Sequence, residues 1–153
     1  MVEQKVYNVG SFKVMAFPLV HDVHNLGFVI DHKESGKFVY LTDTHYCPFT
    51  FKNLSNMIVE CNYAIEIVDD KLLEGKGEYF IRNRVLGSHM ELETTKEFLR
   101  SNDLSGVINI LLTHLSNENS DAKRFKKEIE ELTGKTVHIA ESGLEIPFDA
   151  RPF

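Results

Sequence analysis

The apolar residues of this chain change their period partway along it, and few architectures accommodate both halves. The early segments KVYNVG and FKVMAFPLV alternate or run apolar with β-branched and aromatic residues, so they read as strands separated by Gly10-Ser11. LGFVIDH and KFVYLTD follow, and the polar stretch from Asp31 through ESGK to Gly36 suits a short antiparallel connection between them. A further apolar run, NMIVECNYAIEIV, opens as a buried strand from Met57 to Cys61 and passes into a polar, helical stretch, DDKLLEGKG.

Beyond this point the spacing becomes helical. Met90, Leu92, Phe98 and Leu99 stand among charges, predicting a helix from Met90 to Leu99 with Asn102 as its stop. From Val107, VINILLT is continuously apolar and β-branched, the pattern of a central strand buried on both faces. Between Ser120 and Leu132, the residues Ala122, Phe125, Ile129 and Leu132 recur every three or four positions, which marks an amphipathic helix. Asp121 suits the positive end of its dipole, and Gly134 suits the position just past its end. TVHIA then reads as a closing strand and GLEIPF as a last short one. Strands first, then alternating helix and strand, define an α/β domain, or a layered α+β domain, expected to span residues 1–153 as one unit.

A chain of this length can bury roughly 70% of the surface that its unfolded form exposes. Its net charge of −6 argues against a nucleic-acid binder that depends on a broad basic field. Cys47 and Cys61 lack a metal-ligand spacing, and no secretory stretch leads the sequence, so a cytoplasmic protein with reduced thiols is expected. No segment approaches the roughly 20 apolar residues that span a bilayer, so no membrane partner is expected.

Four residues stand at the ends of strand-like runs, where folded chains collect catalytic and metal-binding groups: His21, Asp43, His89 and His114. Each has an ordinary alternative. His21 could be a loop histidine held by Asp22, Asp43 a turn residue, His89 a side chain shaping a helix entry, and His114 a polar strand end. Together, three histidines and an aspartate in such loops point to a metallohydrolase. His24 and His45 flank the set and could join His21 and Asp43 around one weak metal, although solvent-facing loop histidines are the simpler reading. His32 and His138 read as turn and strand residues without a role. Residues 1–20 contain no His, Cys or Asp.

The segments FPLVHDVHNLGFVI, GKFVYLTDTHY, IVECNY, LGSHMELETTKEFL and LLTHLSNENSD, in that order, resemble the later motifs of the metallo-β-lactamase superfamily. They are most similar to its phosphodiesterase-like branch, which includes tRNase Z and cyclic phosphodiesterases, and the resemblance runs from about residue 5 to the end. It implies the C-terminal portion of an αββα sandwich, in which two mixed sheets are flanked by helices and a metal pair lies at the sheets' edge. It also implies metal-ligand roles for His21, Asp43 and His114, with Asp43 bridging two ions of zinc or manganese. His89 resembles the branch's non-ligand histidine, which contacts phosphate and protonates the leaving oxygen, while Glu60 and Asn62 match a supporting strand end. The implied activity is hydrolysis of a phosphoester or nucleotide substrate.

One departure is plain. Family enzymes carry H-x-H-x-D-H ahead of the matched region, and this sequence has no such motif. The sequence therefore reads as starting mid-domain. A partner chain or another segment is expected to supply the missing ligands, with weak or no activity in this chain alone. A catalytically inactive remnant that binds a nucleotide or a protein is the alternative. Loss of one half would leave an apolar face and a strand edge, so a homodimer, a rearranged sheet or a partner chain carrying that half is also expected.

Overall fold

The structure, a computed structural model, describes residues 5–76 and 79–150. Seven strands form one sheet in chain order: β1 (Val6–Val9), β2 (Phe12–Pro18), β3 (Leu26–His32), β4 (Gly36–Leu41), β5 (Asn56–Glu60), β6 (Asn109–Thr113) and β7 (Thr136–Ile139). The pairs from β1 to β4 are antiparallel, and those from β4 to β7 are parallel. This change of direction follows the change of period in the sequence. Antiparallel neighbours need only short turns, such as the one ending at Gly36 with φ +67°, whereas parallel neighbours need crossovers. The crossover from β5 to β6 contains α1 (Ile65–Leu73), α2 (Tyr79–Ser88) and α3 (Leu92–Ser101), and that from β6 to β7 contains α4 (Ala122–Thr133).

Local chemistry sets the helix ends. The Glu91 carboxylate accepts from the Glu93 and Thr94 amides at the start of α3. The Asn102 side chain donates to the Phe98 carbonyl and accepts from the Phe51 amide, which stops the helix where the sequence placed its end. Asp121 caps α4 by accepting from the Arg124 amide, and Gly134 closes it in the left-handed conformation, φ +64°.

Two expectations change. The DDKLLEGKG stretch is helical only in its first part, because α1 begins at Ile65 and ends at Leu73; Gly77 lies outside the described residues. GLEIPF is not a strand. Gly143 turns at φ +83°, and the segment is held piecemeal: the Pro147 carbonyl accepts from Asn109, Phe148 packs edge-on against Phe38, and the Ala150 amide donates to the Glu34 carbonyl. Proline contributes no amide to a ladder, which works against strand pairing here.

One face of the sheet carries the core. Val39, Leu41, Met57, Val59, Ile110, Leu112 and Val137 are fully buried and form one cluster with Leu92, Leu99, Phe125 and Ile129 of the helices. Gly27 is required beneath it, because a Cβ there would come within 2.4 Å of the Phe17 ring. The alternate positions behave differently. Val14, Ala16, Phe28, Ile30, Phe38, Tyr40, Ile58 and Leu111 are only half-buried, so the second face is apolar and partly open, crossed by the C-terminal segment at Phe38.

Lys96 of α3 is almost buried, with its ammonium between Glu93 and Glu128, and Arg124 also pairs with Glu128. Hydrogen bonds from Lys96 and Arg124 hold the Glu128 carboxyl below its usual value of 4.5. A depressed folded pKa gives stability that is present above the unfolded value and lost as pH falls through the folded one. Glu128→Gln is therefore expected to cost about 1–2 kcal/mol at neutral pH. Urea titrations over a pH series should show the wild-type advantage shrinking below about pH 4.5.

No described helix is long and apolar enough to cross a membrane. Burial raises the Cys47 thiol to about 11 and the Cys61 thiol to about 12, so neither is a ready nucleophile at neutral pH.

Candidate metal centre

Parallel pairing of β4, β5 and β6 brings their C-terminal ends side by side, and each end delivers one polar residue. Asp43 follows β4, Glu60 ends β5 and His114 follows β6. Asp43 and His114 both adopt left-handed backbone conformations, φ +54° and +58°. Such turns are uncommon outside glycine, and here they redirect the chain immediately past a strand. Side-chain amides hold both. Asn25 donates to the Thr42 and Asp43 carbonyls at 2.8 Å each, and Asn62 donates to the His114 carbonyl at 2.6 Å.

His89 arrives from the junction of α2 and α3. That junction is stitched to the exit of β5, where the Asn62 amide donates to the Met90 carbonyl and the Leu92 amide to the Tyr63 carbonyl. His21 comes from the β2–β3 loop. Thr44 anchors this loop, since its hydroxyl oxygen accepts from the Val20 amide at 3.1 Å and the His45 amide donates to the Val20 carbonyl at 2.7 Å.

Glu60 organises the centre. Its side chain is fully buried. Oε1 accepts from Nδ1 of His89 and Nδ1 of His114, each at 2.9 Å, and Oε2 accepts from the Thr44 amide at 2.6 Å. Burial alone would raise this carboxyl, but the bonds from His114, His89 and Thr44 outweigh it and hold Glu60 below the ordinary glutamate value. The same hydrogen bond raises His114 against the opposing effect of burial, and the Asp43 charge adds to the rise. An ionised carboxylate only accepts, so both imidazoles direct their Nδ1–H at it and keep Nε2 as the lone-pair nitrogen when neutral.

Asp43, His89 and His114 each offer a ligand atom, and these atoms lie within 4.8 Å of one another. The His89 and His114 ring centroids are 4.9 Å apart, and His114 Nδ1 is 3.5 Å from Asp43 Oδ1. His21 stands beside this group. Its ring centroid is 5.4 Å from that of His89, while its Nδ1 donates to the Ser88 carbonyl at 2.8 Å and its Nε2 lies 3.0 Å from Asp22 Oδ1. The resemblance implies His21, Asp43 and His114 as ligands and sets His89 apart. The structure brings all four residues to one edge and places His89, not His21, in the three-donor cluster.

The donor chemistry fits one divalent cation. Two imidazoles and one carboxylate match the ligand preferences of zinc and leave room for water or substrate, and a carboxylate behind the histidines is the usual orienting partner. Among the described residues no second cluster of this kind forms, so His21, His24, Asp43 and His45 do not make the alternative site. His24 is exposed, and His45 Nδ1 is buried without a hydrogen-bond partner. His32 stacks on Phe12, and His138 Nε2 lies 3.3 Å from Asn109 Oδ1. The anchors Thr44, Asn25 and Ser88 were not foreseen. Only Thr44, beside Asp43 at the end of an apolar run, left a trace in the sequence.

In comparison with solved structures, this mixed sheet and its crossovers match part of the metallo-β-lactamase fold. The metallo-β-lactamase fold protein YhfI from Bacillus subtilis superposes with a TM-score of 0.63 at 19% identity, over 94% of this chain and 53% of that one. The short form of human tRNase Z gives 0.51 at 18% identity, over 90% of this chain and 44% of that one. An isothiocyanate hydrolase from Delia radicum gut bacteria gives 0.60 at 15% identity, over 97% of this chain and 60% of that one. The chain thus spans about half the length of these neighbours and carries part of their fold. No family model and no curated protein matches it. The names of the neighbours point to unlike substrates, so the fold alone selects none.

Proposed function

We propose that this chain contributes the metal-binding layer of a phosphodiester hydrolase, with Asp43, His89 and His114 holding one zinc or manganese ion. The observation that carries the reading is Glu60, a buried carboxylate that fixes two imidazoles in one tautomer beside a third donor. An ion held there would supply positive charge against the oxygens of a phosphoryl group. The protein's own part is to orient His89 and His114 through Glu60, to turn Asp43 towards them, and to keep His21 next to His89 as a further polar group at the same edge. Ligands for a second ion, in this reading, come from another chain or segment.

His89 has a second reading, favoured by its bond to Glu60, as the proton donor to the departing oxygen. The two separate cleanly. His89→Ala is expected to abolish metal uptake if His89 is a ligand, and to lower kcat at full metal occupancy if it is the acid.

The test of the main proposal is hydrolysis of bis-p-nitrophenyl phosphate by the purified chain with added zinc or manganese. The expected result is slow turnover that a chelator removes and either ion restores, with at least one ion bound per chain. A chain that binds neither ion but still binds a nucleotide would instead be an inactive binding module. The half-open apolar face is proposed to pack against a second copy of this chain, which sedimentation should show as a dimer that dissociates on Phe28→Lys. The two free thiols accord with the proposal of a cytoplasmic location.

A further inference from the structure

A groove of about 390 Å³ opens directly beside His114, between the loop after β6, the start of α4 and the end of β7. His114, Ser116, Asn117, Ser120, Ile139 and Glu141 line it. Its chemistry is distinctive. Among the described residues, the lining contains no Lys or Arg, and Glu141 is its one carboxylate. Such a groove repels a second phosphate and accepts hydrogen bonds from hydroxyl or ring N–H groups. Ile139 supplies an apolar wall against which a flat or aliphatic group loses water.

The small polar residues are fixed in place. The Ser120 hydroxyl donates to the Ser116 carbonyl at 2.6 Å, and the Ser116 hydroxyl oxygen accepts from the Asn119 amide at 3.2 Å. Ser116 therefore keeps its own proton free to donate, while its amide is tied to the Asn62 carbonyl at 2.8 Å. The volume lies near the lower end of small-molecule sites, which run from about 300 to 1,000 Å³, so it suits one compact group and not an oligonucleotide.

We infer that this groove receives one ester substituent of the substrate, an uncharged, hydroxyl-bearing group of nucleoside size, with Glu141 accepting hydrogen bonds from its hydroxyls. The inference rests on the phosphodiesterase reading and sharpens it: the preferred substrate is a diester whose substituent at this position carries no further phosphate. His114 belongs both to this lining and to the metal cluster, while Glu141 stands two residues past the end of β7.

Two measurements test it separately from the parent reading. The first compares kcat/KM for adenosine 5′-(p-nitrophenyl phosphate) with that for bis-p-nitrophenyl phosphate. In Glu141→Ala the ratio of the two is expected to fall about tenfold, the loss of one hydrogen bond to a charged acceptor. An unchanged ratio in an active variant overturns the inference and leaves the hydrolase reading standing. The second needs no activity: adenosine is titrated into metal-free protein and backbone amide resonances are followed. Shifts confined to Ser116, Asn117, Ser120 and Glu141, and weakened in Glu141→Ala, support the groove even if neither ester is hydrolysed. No shifts at these residues with adenosine, at concentrations up to its solubility, sink it.

Discussion

Glu60→Gln is expected to lower the melting temperature by about 5–10 °C and to weaken zinc binding about ten- to hundredfold. The wild-type carboxylate satisfies three donors with two oxygens: His89 and His114 on Oε1, and the Thr44 amide on Oε2. Glutamine keeps one carbonyl oxygen and adds an amino group. With its amino group turned to Thr44, two donors face each other. Turned to the imidazoles, it forces both rings to move their proton from Nδ1 to Nε2 and replaces two charge-assisted bonds with neutral ones. The side chain is fully buried, so water cannot repair the mismatch. A cost of about 2–3 kcal/mol follows, which corresponds to the stated drop for a domain of this size. The binding loss has a separate cause, because the imidazoles no longer share one fixed tautomer. Thermal melts of metal-free protein and zinc titration read the two effects independently. A melting temperature and zinc affinity both unchanged would show that Glu60 does not organise the centre.

Asp43→Gly is expected to separate what Glu60→Gln damages together: zinc binding falls at least about a hundredfold while stability stays within about 1 kcal/mol of wild type. Asp43 occupies a left-handed conformation at φ +54°, which glycine adopts without strain. The relief in the folded state offsets the extra freedom that glycine gives the unfolded chain. The hydrogen bond that holds this turn runs from Asn25 to the Asp43 carbonyl, a backbone group that the substitution leaves in place. Only the carboxylate is lost. Calorimetric titration with zinc and a urea melt test the pair of effects, and zinc affinity near the wild-type value in a folded Asp43→Gly protein would remove Asp43 from the ligand set.

Much of the sheet was legible because its apolar residues are either alternating or continuous, and both patterns survive in β2 through β6. The amphipathic stripes of α3 and α4 were legible for the same reason, together with Asn102 and Gly134 at their ends. The α2 helix was not. Tyr79–Ser88 carries no apolar stripe, and Tyr79 and Phe80 stand largely exposed, so periodicity had nothing to report. GLEIPF misled because its apolar content resembles a strand while Pro147 and Gly143 work against one.

The centre divides in a similar way. Strand-end position exposed His21, Asp43, His89 and His114, since a polar residue at the end of an apolar run needs a reason. Which imidazole joins Asp43 and His114 depends on how the α2–α3 junction is tied to the exit of β5, a contact between residues far apart in the chain. Glu60 was the harder residue to weigh. It sits inside the run NMIVECNY, and its sequence neighbours do not reveal two histidines waiting on one of its oxygens.

The order of the sheet bears on how the molecule is made. Every strand pairs with the strand that precedes it in the chain, so the sheet can grow from one edge as the polypeptide emerges during synthesis. The edge that carries the donor cluster would assemble on the same schedule. Asp43 is placed with β4 and Glu60 with β5, but His114 joins only after the three-helix crossover delivers β6. A cation held by Asp43, His89 and His114 would therefore be gripped late, once the parallel half of the sheet has formed, and its capture would reward a nearly finished fold over an unfinished one.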